Sequence, residues 1–384
     1  MIQTLAKAYR HGTHRSIAPE QTLANIAPHL AALGVTRLAD VTGLDSIGIP
    51  VYCAIRPSAK SLQVSNGKGL SHADAKVSAL MEAVETHHFE NPGGNLKRGS
   101  LRSMQRDGHV VIAPESLPGY RSNVFFSADR VLDWVSAEDL LSGREVWLPA
   151  SVLYMCPPLL YDTTSNGMAS GNHLLEATLH GLYEVIERDA MALLSVKGRL
   201  IFSPKRCRFI DLKTVKDAPV RQLHRMLAAA GVKLVLIWLK SCIPIHTFMA
   251  VLLDPTPFSP SSTVNFGYGT HLSLSVAATR AITEAAQSRL TFIHGSREDL
   301  EPEAYRGPHY RIFDFFDGCN ANSSWGNLKD LANDDLVTDY AGILRNLSKN
   351  GYKQIFRINM TRAPFDIPVA MVIIPGLKLN PHLV

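Results

Sequence analysis

Between Asn166 and Asp189 the chain reads NGMASGNHLLEATLHGLYEVIERD, a turn of glycine and small residues that runs straight into a helix. That helix carries Glu176, Glu184 and Glu187, with Arg188 directly behind. At about 100° per residue, Glu176 and Glu184 stand about 80° apart and Glu176 and Glu187 about 20° apart, so three carboxylates share one face. Leu175, Leu179, Leu182 and Ile186 fall on another side and can anchor the helix in a core. Like charges on one face repel, so a fold needs a reason to keep them. One reading is a solvated acidic face. The other is a hard-cation site, because Mg²⁺ takes carboxylate oxygens and leaves room for phosphate and water.

The theme returns in residues 65–90, SNGKGLSHADAKVSALMEAVETHHFE. Ser71 is a good N-cap with Asp74 three residues on. Ser78, Glu82 and Glu85 follow on one face, within about 100° of each other. Lys68 sits between two glycines in the turn ahead. Residues 271–295 read as a third long helix, with Glu284 and Gln287 one turn apart and Arg289 pointing elsewhere. Five glutamates (Glu82, Glu85, Glu176, Glu184, Glu187) exceed what one cation needs, so two divalent ions could share them across a polyphosphate. Lys68, Arg188 and Arg15 could neutralise the remaining phosphate charge. Ser78, Asn172 and Gln287 offer neutral hydrogen-bonding groups. A di-metal hydrolase could use the same carboxylates, but such sites mostly add histidines, and His87 and His88 are consecutive and cannot both face one site. Neither GxxxxGK[ST] nor a GxGxxG before a suitable helix is present.

The surrounding chain must position these helices. Its 384 residues are 46% hydrophobic and 19% charged, an ordinary globular composition. A net charge of +5, with scattered Lys and Arg, makes no case for nucleic acid or membrane. The five cysteines, Cys53, Cys156, Cys207, Cys242 and Cys319, form no CxxC and suit a reduced, cytoplasmic chain. No apolar run resembles a signal peptide or a membrane span. The basic start, residues 1–18, reads as a frayed tail or as a source of phosphate contacts.

A helix from Pro19 to about Leu33 comes next, ended by Gly34. Strands are expected at Thr36–Thr42 and Val51–Ile55, and a third at Ser61–Val64. Residues 95–165 read as short strands and loops (HVVIAP, RVLDWVSA, REVWLP), with a short helix over Ser136–Leu141. Further on come a helix at Val220–Ala230 and strands at Val232–Leu239 and His246–Leu253. Residues 254–270 read as a long loop and 296–335 as irregular. Val337–Leu347 reads as a helix, and Lys353–Ile358 and Pro368–Ile374 as strands. No linker divides the chain. The expectation is one large α/β (α+β) unit with mixed sheets spanning residues 1–384, in which 1–60 form the N-terminal part and 375–384 a tail. The elements alternate too irregularly for a TIM barrel or a doubly wound sheet.

GKGLSHADAKVSALMEAVETHHFE, SNGMASGNHLLEATLHGLYEVIERDA and RAITEAAQSRL resemble the three nucleotide-binding blocks of the YcaO family. KAYRHGTHRSIAPEQTLANI and TRLADVTGLDSIGIPVYCAIRP resemble the start of its stand-alone, TfuA-associated members. The resemblance covers nearly the whole chain in the family's order. It implies an enzyme that binds ATP and Mg²⁺ without a P-loop and activates a peptide-backbone amide by phosphorylating its oxygen. A nucleophile then attacks and phosphate leaves. A Cys, Ser or Thr side chain gives an azoline, an external sulfur donor working with TfuA a thioamide, and an amide nitrogen an amidine.

Carried onto this chain, the resemblance assigns Mg²⁺ to Glu82, Glu85, Glu176, Glu184, Glu187 and Glu284. It assigns ATP to Ser78, Asn172, Arg188, Gln287 and Arg289, with Lys7, Arg15 and Lys68 as further phosphate contacts. No catalytic base is assigned. The end of the chain, PGLKLNPHLV, lacks the PxPxP of azoline-forming members, which favours thioamide formation on a ribosomally made precursor peptide. The implied partners are that peptide and a TfuA-like protein or another sulfur donor or leader-binding protein, and a homodimer is a candidate assembly. Azoline or amidine formation is the alternative within the family, and a nucleotide-binding accessory protein is the alternative outside enzymology.

Overall fold

The computed structural model describes the chain apart from residues 1–3, 94, 95, 163, 197, 198, 257–262, 301–304, 306–309 and 380–384. The chain divides into two compact units. Unit one gathers Met1–Thr4, Val84–Leu193 and Leu336–Val384; unit two gathers Leu5–Ala83 and Leu194–Asp335.

Three strand–helix pairs organise these units. They are β1 (Val64–Lys68) with α1 (His72–Glu90), β2 (Met168–Ser170) with α2 (Leu174–Leu194), and β3 (Val264–His271) with α3 (Leu274–His294). The boundary between units falls inside α1, between Ala83 and Val84. Each helix start has a local cause. Asp74 N donates to Ser71 Oγ (3.1 Å) and Ser71 N donates back to Asp74 Oδ2 (3.2 Å), the reciprocal cap expected from the sequence. Before α2, both the backbone N and Nδ2 of Asn172 donate to Glu176 Oε1 at 3.1 Å. α3 ends at Gly295, which takes a left-handed φ of 60°.

In unit two, Arg37–Asp40, Val51–Ile55 and β1 form a three-stranded antiparallel sheet. A five-stranded sheet runs in the order β3, His246–Leu253, Lys233–Leu239, Cys207–Asp211, Ser323–Ser324, with only the last pair parallel. α3 serves both sheets. Ala277, Ala281, Ile282 and Ala285 pack with Leu234, Leu236, Phe248 and Ala250 of the larger sheet. Leu290 packs with Val51, Cys53 and Val64 of the smaller one. The alanines let helix and sheet backbones come close.

Glycine takes this to its limit. A Cβ on Gly67 of β1 would lie 2.0 Å from Ala79 N of α1, and one on Gly267 of β3 would lie 2.1 Å from Ala285 N of α3. In unit one the approach at Gly171, just after β2, is looser but similar, 2.7 Å from Ala177 N.

Unit one holds a six-stranded antiparallel sheet. Its main path is Leu96–Ser100, Val131–Asp139, Phe356–Asn359, Val369–Ile373 and β2, with Arg144–Pro149 on the other edge of Val131–Asp139. Leu182 and Ile186 of α2 are fully buried, as are Trp134, Leu148, Phe356 and Val372. The architecture is the mixed α+β arrangement that the segment pattern implies.

Several expectations need correcting. The strand read at Ser61–Val64 begins at Val64 and ends at Lys68, so Lys68 closes a strand instead of sitting in a turn. Residues 264–270, read as loop because of their glycines, belong to β3, where those glycines serve close packing. Ser136–Asp139 continues a strand into a hairpin, where a helix was expected, because each of these residues pairs with 144–147. HVVIAP gives only a bridge at Val111. The first helix is α-helical only to Ile26, since Pro28 cannot donate to the ladder. Tyr310–Asp317 is a helix inside the stretch read as irregular. The basic start is not frayed from Leu5 onward. Leu5 N donates to Asp335 Oδ2 (2.6 Å), Arg10 pairs with Asp334 (2.9 Å) and Tyr9 OH donates to Asp74 Oδ2 (3.0 Å).

Replacing Gly67 or Gly267 by Ala forces backbone apart, so each should cost about 1–3 kcal/mol in urea unfolding. Gly43→Ala, with nothing within 4 Å of the added carbon, should stay within about 0.5 kcal/mol of wild type.

Candidate functional site

Within unit two, α3 and β1 bring sequence-predicted groups together. Lys68 Nζ donates to Glu284 Oε2 at 2.6 Å, and Tyr268 N donates to Glu284 Oε1 at 3.2 Å. Glu82 is half-buried as a residue. Loss of water around its carboxyl nevertheless dominates and pushes its pKa up to about 7, with the charge of Glu284 adding to the rise and Arg297 and Lys68 opposing it. Burial and then the charge of Glu82 push the Cys53 thiol up to about 11. Ser78 is half-buried on α1. Gln287 donates through Nε2 to Asn66 O (3.4 Å), while its buried Oε1 has no hydrogen-bond partner among the described residues. An orphaned acceptor of this kind suits a ligand hydroxyl, an amino group or a metal-bound water.

A second cationic group in unit two surrounds His271. Burial holds this imidazole well below its usual pKa, and His14, Lys7, Arg280 and Arg15 depress it further. Lys7 is buried and donates through Nζ to Asn333 O. The predicted phosphate contacts Lys7 and Arg15 therefore lie in one positive environment that favours a polyanion. Arg289 is placed differently. Its Nε donates to Asp45 Oδ2 and its Nη1 to Asp254 Oδ2, each at 2.9 Å, and all three side chains are buried.

In unit one, Glu85 Oε1 accepts from Ser170 N (2.7 Å) and Ser170 Oγ (2.6 Å), which ties α1 to the end of β2. Asn172 and Glu176 meet at the start of α2 through the two bonds given above. Glu176 and Glu187 are only 2% and 5% exposed, so the face on which they lie is not a solvated one. Glu184 and Arg188 are half-buried on the same helix. Asp189 accepts from Lys378 N (2.8 Å), which fastens the described part of the tail, and burial raises its pKa.

Among the described residues no three His, Cys, Asp or Glu side chains are grouped so that they alone could hold a metal ion. A carboxylate-only donor set fits Mg²⁺ in another way, with one or two protein oxygens per ion and the rest from phosphate and water. Sequence reasoning missed Arg297, whose guanidinium is paired with Asp299 and feels the charge of Glu82. It also missed His14, His271, Arg280, Ser170 and Asn66. Asn66 and Ser170 each sit next to or within the glycine turns already singled out; Arg297 lay in a stretch without periodicity.

The Glu82 carboxyl ionises at about 7 in the fold against 4.5 in an unconstrained chain. The folded state therefore holds a proton that the unfolded state has lost, and stability falls as pH rises through that window. The Tm of wild type should drop across it by several °C more than that of Glu82→Gln, each kcal/mol being worth about 2–4 °C. Parallel pH profiles for the two proteins would reject the burial of this carboxyl.

Comparison with known proteins adds a family context. The family model described as YcaO cyclodehydratase, ATP- and Mg²⁺-binding, matches residues 66–378. An uncharacterized protein of Mycobacterium tuberculosis is 38% identical over 306 residues, covering 78% of this chain and 66% of its own length, just under two thirds. An uncharacterized protein in the tfuA 3′ region of Rhizobium leguminosarum bv. trifolii is 34% identical over 382 residues, 95% of this chain and 89% of its own. The structure of YcaO from Methanopyrus kandleri bound with AMPPCP and Mg²⁺ superimposes with a TM-score of 0.76 at 21% identity, covering 97% of this chain and 95% of that one.

Proposed function

The chain belongs to the YcaO family of ATP- and Mg²⁺-binding proteins, and from that premise we propose that it uses ATP to convert a peptide backbone amide into a thioamide. The amide oxygen attacks the γ-phosphorus of ATP and ADP leaves. Hydrosulfide supplied by the sulfur donor then adds to the amide carbon, its proton passes to the amide nitrogen, and phosphate departs with the oxygen, leaving C=S. An amide oxygen is a poor leaving group and a phosphate a good one, so the protein needs mainly to position reactants and neutralise charge.

Glu82, Glu85, Glu176, Glu184, Glu187 and Glu284 supply oxygens for Mg²⁺, which neutralises phosphate charge when bound. Arg188, Lys7, Arg15 and Lys68 serve the phosphates, and Ser78, Asn172 and Gln287 the rest of the nucleotide. Arg289, held between Asp45 and Asp254, fixes α3 and completes the nucleotide-binding set. The observation that carries the reading is the family match over residues 66–378, which takes in all three acidic helices. The tfuA-region relative supports a sulfur-handling partner. The substrate is a precursor peptide and the compartment the cytoplasm. Among the described residues no helix is long and apolar enough to cross a membrane. The cyclodehydratase description of the family favours azoline formation as the second reading.

Two measurements test this. Calorimetry should give saturable ATP binding with Mg²⁺ that Glu82→Gln and Glu187→Gln each weaken at least about tenfold, or about 1.4 kcal/mol, with the fold intact. Unchanged affinity in both would reject the metal assignment. Mass spectrometry of a co-expressed precursor peptide and TfuA-like protein should show oxygen replaced by sulfur. Loss of water from the peptide would select azoline formation.

A further inference from the structure

Among the buried polar groups of unit two that have no role so far, three lie together: Asn66 on β1, Cys53 on the neighbouring strand Val51–Ile55, and Thr291 on α3. They are 1%, 2% and 8% exposed. Asn66 and Cys53 are register partners in the antiparallel sheet. The Cys53 thiol donates to Asn66 Oδ1 at 3.1 Å, and Asn66 Nδ2 donates to Thr291 Oγ1 at 2.7 Å. Thr291 Oγ1 in turn donates to the carbonyl of Gln287 at 2.8 Å, and Gln287 Nε2 returns to the carbonyl of Asn66 at 3.4 Å. The bonds close a ring between strand and helix, and the thiol fixes which way the amide faces.

Two residues further along β1, on the same face of the strand, Lys68 makes its 2.6 Å bond to Glu284, one turn before Gln287 on α3. Gly67, between Asn66 and Lys68, is pressed against α1 on the other side. Hydrophobic contact alone holds a helix on a sheet but specifies no axial position. A buried amide is costly unless every bond is made, so it tolerates one register only.

We infer that Asn66 is a positioning residue, whose side-chain amide sets the axial register of α3 on β1 and thereby places Lys68 against Glu284 and turns the Gln287 amide so that its Oε1 stays open. It touches neither nucleotide nor metal. The inference deepens the ATP reading above by naming what holds its groups in place, but the register claim has a readout of its own.

That readout is the Lys68 ammonium in ¹⁵N-lysine-labelled protein, identified as the NMR signal missing from Lys68→Met. Bonded to Glu284, it should exchange slowly with water. In Asn66→Ala, checked for folding by circular dichroism, the slow signal should disappear and Mg·ATP affinity should fall about tenfold. Asn66→Ser, which can still donate to Thr291, should restore part of both. If Asn66→Ala does not fold, Thr291→Val, nearly equal in shape but unable to accept from Asn66, should give the same two losses. A slow Lys68 signal that persists in a folded variant of either kind overturns the inference, as does its absence from wild type. Loss of the signal with Mg·ATP affinity unchanged upholds the register role and removes Lys68 from the nucleotide site instead.

Discussion

Contact between a strand glycine and the backbone of the helix that follows it governs how this molecule can place charge. At Gly67 and Gly267 the approach leaves no volume for a methyl group. Side chains at these contacts or one turn beyond are therefore held at a fixed height above the sheet, and two of them are carboxylates, Glu284 at the Gly267 contact and Glu82 one turn past the Gly67 contact. Had the helices stood off at an ordinary side-chain distance, long flexible groups would have had to bridge the gap, at a cost in rotamer entropy. Short carboxylates on helices set close to strands are already in place.

Placement of this kind is bought against electrostatics. Glu176 and Glu187 have almost no exposed surface, and the Glu82 carboxyl is pushed toward neutrality by burial. Buried carboxylates lower the stability of a protein unless they are hydrogen-bonded or paired. Here the partners are mixed. Asn172 satisfies Glu176, Ser170 satisfies Glu85, and Lys68 pairs with Glu284. The fold has met part of the cost with neutral donors and part with a lysine. Neutral donors leave the negative charge of Glu176 and Glu85 in place, whereas Lys68 and Glu284 cancel each other.

Much of this was legible in the residues. The 3.6-residue spacing of Leu179, Leu182 and Ile186 located α2, and Ser71 with Asp74 located the start of α1. His246–Leu253 could be bounded to the residue because an apolar run with β-branched residues was flanked by turn formers on both sides. What failed shares one cause. Gly267 and Gly269 read as loop because glycine signals flexibility locally, whereas its use here is steric and depends on a helix that follows later in the chain. Ser136–Leu141 read as a short helix ended by Gly143, but Ser136–Asp139 pairs with 144–147 as a strand. The triad of Asp45, Arg289 and Asp254 and the ring through Asn66 join residues with no sequence pattern between them, and only three-dimensional proximity reveals them.

The stitching of the amino-terminal residues has a consequence for biosynthesis. Leu5 bonds to Asp335, 330 positions away, and Arg10 to Asp334. At translation rates of about 5–20 residues per second, that partner leaves the ribosome on the order of tens of seconds after Leu5 does. Unit two therefore cannot mature in the order in which it is made, and its first segment waits as nascent chain while the whole of 84–193 is synthesised between its halves.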